Sequence, residues 1–458
     1  MITRRQFTVA LGTLAAAGMS GSLFRQPMAA TNVTMKTSVG YGPLIEDPNG
    51  VLALPEGFSY QVLSSFGDKM DDGLQVPDRA DGMGCLPLDE SRVALIRNHE
   101  LKPEHLTEFG PGQPAPFKSA LAYDNNERNE ALPGGTTTLV YNTQTGNKER
   151  EYLSLVGTVR NCSGGVTPWG SWLTCEESVD TPADDGNKYH GYVFEVPANA
   201  NGLVEAKPLK ALGRFNHEAA CVDPETGIVY LTEDQGDSLL YRLIPNEYGN
   251  LAAGGKLQAL AVKGYPKFDS RNWSKREMPV GEWLDVTWVD IASPDSAEDD
   301  LRKHGYQAGA ALFARGEGIH WAEDRLYFCC TNGGHKKLGQ VMAYKPSAYE
   351  GSPGESDAPG ALQLFVESAD SQLLNFGDNL TVTPNGHLII CEDQYTAIVD
   401  NHLRGVTPAG EVYPFAQLAL QTELAGACFS PDGKTLFVNL YSPTKTLAIS
   451  GPWVHLNA

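Results

Sequence analysis

Asp378-Asn379-Leu380-Thr381-Val382-Thr383-Pro384-Asn385-Gly386-His387-Leu388-Ile389-Ile390-Cys391-Glu392-Asp393 carries the plan of the whole chain. An apolar run leaves a small polar entry, turns at Pro384-Asn385-Gly386, returns through Leu388 to Cys391 and stops on acids, which is how a β-hairpin reads. The same order of entry, turn, apolar strand and polar or acidic stop runs from Gly82 to Glu100, Asn161 to Glu177, Asn216 to Asp234, Gly316 to Asn332 and Leu424 to Leu440. Third apolar runs follow, such as Gly191 to Val196 and Gln340 to Tyr344. Six units of short antiparallel strands without long helical periodicity predict an all-β fold, a six-bladed β-propeller with inserted loops on one face. A β-sandwich with insertions is the alternative. Residues 246–315 are expected to be insertion, and no boundary divides the chain, so residues 31–458 are expected to form one propeller domain.

Composition agrees. The 458 residues include 48 Gly and 29 Pro, enough turn formers for many short elements. The chain has 35 Lys+Arg against 56 Asp+Glu, a net charge of −21. That balance argues against nucleic acid and against an anionic membrane surface, both of which need a basic face. An anionic substrate would need bound cations to draw it in.

Residues 1–30 read as a twin-arginine signal peptide. Thr3-Arg4-Arg5-Gln6-Phe7 precedes a weakly apolar stretch, Val9 to Met19, and Ala29-Ala30 is a cleavage point. The stretch is too short for a membrane anchor. The expectations are engagement with the twin-arginine export machinery, a periplasmic or secreted location, and folding before translocation. Eight cysteines lack any CxxC or Cys/His zinc spacing. Cys175, Cys221, Cys391 and Cys428 lie in apolar runs and read as small core residues. Cys329 and Cys330 point to opposite faces of a strand, so no bond joins them. Cys162 stands apart, at the head of a Gly-rich segment.

In a propeller, the start of an inner strand and the end of the next strand meet at one rim. Cys162, Glu218, Glu317 and Asp378-Asn379 are inner-strand starts; Glu100, Glu176-Glu177, Glu233-Asp234 and Glu392-Asp393 are second-strand ends. All are therefore expected around one channel mouth, where so many carboxylates would repel one another unless cations lay between them. Hard oxygen donors suit calcium, while a thiolate among carboxylates suits a less hard ion such as iron. His99 and His217 form no spaced ligand set and are expected to orient neighbours or to pack.

Asn161-Cys162-Ser163-Gly164-Gly165-Val166-Thr167-Pro168-Trp169-Gly170 and Leu173-Thr174-Cys175-Glu176-Glu177 resemble the hallmark of the PhoX-type alkaline phosphatase family. Gly213 to Ala220, Arg315-Gly316-Glu317-Gly318, Asp378-Asn379-Leu380, Cys391-Glu392-Asp393 and the twin-arginine signal agree, so the resemblance spans essentially the whole mature chain. It implies a monomeric six-bladed propeller that hydrolyses phosphomonoesters with an iron–calcium cluster in its channel. By position, Cys162 would be the thiolate ligand of ferric iron and Glu218 and Glu317 carboxylate ligands. Glu176, Glu177, Glu392 and Asp393 would complete the iron and calcium sites, and Glu100, Glu233 and Asp234, at the same mouth, are counted with them as expected metal ligands. Arg315 would bind the phosphate oxygens, a task for which a guanidinium fork is suited, and Arg315 and Glu317 are the expected catalytic pair. No GxSxG or P-loop motif is present, which agrees with a nucleophile carried by metal.

Two other classes fit the fold. A calcium-dependent lactonase-like hydrolase would use channel acids and Asn without needing a cysteine or an arginine clamp. A non-catalytic propeller would bind a protein through aromatics such as Trp273, Trp283 and Trp288, which otherwise serve as anchors of the insertion.

Overall fold

The computed structural model describes residues 39–113, 115–184, 186–394 and 400–454; the signal-peptide segment 1–30 lies outside them. The chain is all-β with a propeller-like arrangement, and one α-helix, Leu301–Ala308, occurs among the described residues. The six hairpins form at Ala80–Pro87 with Arg92–His99, Asn161–Val166 with Ser171–Glu176, and His217–Val222 with Val229–Glu233. The other three are Gly316–Ala322 with Arg325–Cys330, Gly377–Val382 with Leu388–Glu392, and Leu424–Phe429 with Thr435–Leu440. Their first strands flank one another in a closed ring around the channel, each beside the next and the sixth beside the first.

Hydrogen bonding gathers the strands into five sheets of six, three, nine, four and four strands. The nine-stranded sheet joins two four-stranded units edge to edge. Its link is Trp283–Asp290, which pairs with Gly255–Val262 on one side and Ala361–Glu367 on the other. Residues 246–315 are therefore not pure insertion. They supply an outer strand and a bridging strand, because alternating stretches such as Leu257, Ala259 and Ala261 have an apolar face to bury. Trp273 and Trp288 pack against the cluster beneath this bridge, while Trp283 is 40% exposed.

The sheets stack through both faces, as the period of two requires. Val229 and Leu231 pack toward Leu173, Cys175 and Val193 of the preceding unit, whereas Tyr230 between them packs toward Phe328 and Met342 of the following one. All eight cysteines are free thiols, and all but Cys85 are buried. The ring is closed by the start of the chain: Ser59–Ser65 pairs with Lys445–Ser450, and Leu52–Pro55 with Val412–Leu418. The last two units thus borrow their outermost strands from the N-terminal side, so closing the ring requires contacts across the full sequence.

Each inner strand carries a β-bulge near its start, after one pairing in the first five units and after two in the sixth. Two residues face one at Ala80/Met83, Asn161/Gly164, His217/Ala220, Gly316/Ile319, Gly377/Leu380 and Ala425/Cys428. At this level neighbouring inner strands touch backbone to backbone. A Cβ on Gly82 would lie 2.5 Å from Ser163 Cα, and one on Gly318 would lie 2.7 Å from Asn379 Cα. Beyond the bulges the channel widens into a cavity of about 270 Å³ lined by apolar side chains such as Met83, Ile319, Leu380 and Phe429. Gly82→Ala should therefore lower stability by about 1–3 kcal/mol, the usual cost of forced overpacking. Urea unfolding checks this; an unchanged midpoint would mean that the strands are not in contact there.

Candidate metal centre at the channel mouth

The bulge decides which side chains enter the channel. Its first residue is Asp81, Cys162, Glu218, Glu317 and Asp378 in the first five units and Gly426 in the sixth. An extra residue without a cross-strand partner re-aims its side chain, so the repeat delivers one anionic donor per unit to one level. The donors form linked groups whose ligand atoms all lie within 4.8 Å of one another: Cys162, Glu177 and Glu218; then Glu218, Glu317 and Asp378; then Asp378, Asp393 and Glu423. Cys162 Sγ lies 3.3 Å from Glu218 Oε1 and 3.4 Å from Asp81 Oδ2.

Of the expected ligands, Cys162, Glu177, Glu218, Glu317 and Asp393 are brought together. Asp81, Asp378 and Glu423 were not expected as ligands. Asp81 and Asp378 share the bulge offset of Glu317, a signal visible in the repeat; Glu423 precedes its inner strand and matches no such offset.

Burial of this much charge shifts its titration. Burial first, then Glu317, Asp378, Glu177 and Asp81, push the Glu218 carboxyl well above the usual range. Burial and the acids Asp81, Glu218, Glu177 and Glu100 likewise push the Cys162 thiol up. Glu218 Oε2 is buried with no hydrogen-bond donor reaching it. Carboxylates and a thiol placed this closely, with a buried oxygen lacking a donor, fit multivalent cations: a bound ion would offset the repulsion and fill the vacant coordination.

Arginines hold the rim. Arg315 donates from Nε and Nη2 to Asp234, each at 2.6 Å, and its Nη2 lies 3.3 Å from Glu317 Oε1. Arg160 donates from Nε to Glu100 at 3.0 Å, from Nη2 to the Glu177 carboxylate and from Nη1 to the Glu177 carbonyl at 2.6 Å. Burial works against the charge of Arg160, but Glu177, Glu100 and Cys162 outweigh it and hold the guanidinium protonated. Glu100 also accepts from the Tyr441 hydroxyl. Glu100 and Asp234, expected as metal ligands, thus fall outside the three groups and pair with the arginines.

Glu176, Glu233 and Glu392 also depart from expectation. In each acid pair that ends a second strand, the two side chains alternate faces, and the first turns away from the channel into the sheet. Glu176 accepts from Val159 N, His190 Nδ1, Gly191 N and Tyr192 N at 2.6–3.1 Å. Glu392 accepts from Asn375 N, Arg404 Nε, His402 N and His402 Nδ1 at 2.8–3.0 Å. Glu233 is bonded by Tyr241 and Arg302, and burial pushes it up to about 8. With their oxygens engaged inside the sheet, these acids tie strands together. His99 bonds Asp78 O and Thr137, and His217 stacks on Phe215; neither enters the three groups.

Fold and site together define a propeller-like β protein whose channel mouth gathers acidic groups that could hold metal ions, flanked by Arg160 and Arg315. The family model for alkaline phosphatase PhoX matches residues 39–444, and the chain belongs to that family of metal-dependent phosphatases. It is a phosphomonoester hydrolase. Among solved structures, Pseudomonas fluorescens PhoX in complex with vanadate, a transition state analogue, shares the fold at TM-score 0.64 and 19% identity, covering 90% of this chain and 98% of that one. A gluconolactonase from Xanthomonas campestris gives TM-score 0.42 at 10% identity, covering 90% of this chain and 98% of its own. The WD40 β-propeller domain of Doa1 gives 0.36 at 9%, covering 85% and 97%. No curated protein sequence matches the chain.

Glu176→Gln should lower stability by about 3 kcal/mol, the order expected when one partner of a buried ion pair is lost, while leaving metal stoichiometry unchanged. Its partner His190 is pushed up to about 10: burial opposes its charge, but Glu176 and Asp124 outweigh burial. The ordinary histidine value is 6.5, so this stabilisation is complete below pH 6.5 and is lost as pH rises toward 10. Melting temperatures across that window should fall in the native protein and fall less in Glu176→Gln. Equal slopes would remove His190 from the account.

Proposed function

We propose that this chain is an alkaline phosphatase exported by the twin-arginine route. It would hydrolyse phosphomonoesters at an iron–calcium cluster held by Cys162, Glu177, Glu218, Glu317, Asp378, Asp393 and Glu423. The observation that carries the reading is the linkage of three donor groups through Glu218 and Asp378, with a single thiol at one end. Cys162, with Glu177 and Glu218, suits the iron end; the all-carboxylate groups around Asp378 suit calcium. In this reading the fold is a six-bladed propeller, with the nine-stranded sheet counted as two blades fused through Trp283–Asp290. Residues 1–30 are removed on export, and residues 31–458 act as one monomeric domain in the periplasm or outside the cell. No helix among the described residues is long and apolar enough to cross a membrane.

The bound cations would supply the positive charge that draws in a phosphate dianion and balances the departing alkoxide. The chain's own part is orientation. Asp234 grips Arg315 through two parallel hydrogen bonds and sets the plane of the guanidinium at the mouth. The guanidinium is thereby oriented in advance, and N–H groups outside that pair would order the phosphoryl oxygens for in-line displacement. Glu317 contacts Arg315 and groups with the carboxylates of Glu218 and Asp378, so it would couple phosphate position to metal position.

The test is hydrolysis of an aryl phosphate by protein purified from the exported fraction, with metal analysis alongside. A calcium chelator should abolish turnover and added calcium restore it. Cys162→Ala and Glu317→Gln should each lose iron and at least about 100-fold in activity. Full iron occupancy in both variants would overturn the ligand assignment.

A further inference from the structure

Four of the six units share a strained entry to the inner strand. Arg79, Arg160, Arg315 and Phe376 each stand two residues before the first bulge residue, which is Asp81, Cys162, Glu317 or Asp378. All four adopt the left-handed backbone, with φ of 56°, 52°, 54° and 54°. Such a conformation costs a non-glycine residue free energy and persists where the surroundings require it. The carbonyl of each accepts from the residue that directly follows the second strand of its unit, Glu100, Glu177, Thr331 or Asp393, at 2.9–3.0 Å. Shared backbone and shared bond send the four side chains off the strand in the same sense, toward the mouth that the arginines line.

At three junctions between units the meeting residues are an arginine and an oxygen partner. Glu100 of the first unit holds Arg160 at the entry to the second, and Asp234 of the third holds Arg315 at the entry to the fourth. Tyr441 of the sixth receives Arg79 at the entry to the first. Between the fourth and fifth units the corresponding residues are Thr331 and Phe376, and neither carries charge. Phe376 is half-buried and belongs to none of the hydrophobic clusters of the described residues. Thr331 is fully buried, yet among the described residues no hydrogen-bond partner reaches its hydroxyl. A buried hydroxyl without a partner is costly, so it points to a ligand that completes this junction.

The uncharged junction is the neighbour of the Arg315 junction around the ring, with the Glu317 strand running between the two. Glu317 Oε1 lies 3.3 Å from Arg315 Nη2, and the Glu317 carboxylate groups with Asp378, two residues beyond Phe376. A phosphomonoester has the same two unlike ends, an anionic phosphoryl group and an organic group. We propose that Phe376 is a specificity-determining residue. With the phosphoryl oxygens at Arg315, the organic group of the ester packs against the Phe376 ring beside Thr331, so aromatic esters are preferred over polyol esters. The inference deepens the phosphatase reading and rests on Arg315 as the phosphate end.

The test compares phenyl phosphate with glycerol phosphate in the metal-loaded native enzyme, Phe376→Ala and Phe376→Leu, alongside metal content and inhibition by inorganic phosphate. The ratio of kcat/KM values, phenyl over glycerol, should fall about tenfold in Phe376→Ala and less in Phe376→Leu, which keeps apolar bulk. Inorganic phosphate has no organic group, so its inhibition should stay within about twofold of native. An unmoved ratio, with both esters still hydrolysed, would overturn the role of Phe376 and leave the phosphatase reading standing. A ratio that falls only together with lost metal or weakened phosphate inhibition would make Phe376 a structural support and overturn the proposal. Arg315→Lys, which loses the fork and keeps the charge, should weaken phosphate inhibition; unchanged inhibition there would displace the phosphate end, and the proposal would fall with it.

Discussion

Mutual repulsion among buried anions is the constraint around which this molecule is arranged. Cys162, Glu177, Glu218, Glu317, Asp378, Asp393 and Glu423 crowd one end of a narrow channel, all buried. Unit charges about 4 Å apart interact by about 4 kcal/mol at an effective dielectric near 20, and Glu218 feels several such neighbours. Such crowding is tolerated when acids keep their protons, which the raised Glu218 carboxyl and Cys162 thiol favour, or when positive charge is supplied. Arg160 and Arg315 provide positive charge from the rim, and the buried Glu218 oxygen that no hydrogen-bond donor reaches is a place where a bound cation would provide more.

The scaffold that enforces the crowding is a ring of six strands touching at their bulges. Because the bulge recurs near the start of every inner strand, a single local deformation repeated around the ring brings together donors spread between positions 81 and 378. Carboxylates facing the sheet serve a second purpose. Glu176 and Glu392 accept four hydrogen bonds each and tie the second strand of a unit to the chain entering its third, stiffening the strand ends beside the donors. Closure by Ser59–Ser65 then makes the geometry of the mouth a property of the entire ring rather than of any one unit.

Much of this was legible in the sequence. Proline and glycine turns between alternating apolar runs marked the six hairpins, since local backbone preference and burial pattern act over a few residues. The likeness of Cys162 to Gly170 and Arg315 to Gly318 to one phosphatase family pointed to the chemistry, and the family match bears that out. The expected mouth acids were sorted less well. In Glu176-Glu177 and Glu392-Asp393 the pair was visible, but which member enters the channel depends on strand register, and a shift of one residue exchanges the faces. Glu423 carried no signal, because it reaches the site from outside the repeat.

The sequence by itself determined the element type, the repeat and the class of donor, since these rest on interactions between near neighbours and on composition. The tertiary structure alone decided which carboxylates meet, which are consumed by backbone amides, and that Arg160 and Arg315 stand on either side of Glu218. Those outcomes depend on bulges and ring closure that bring residues hundreds of positions apart within a few ångströms, and on a Coulomb energy that exists only once they are there.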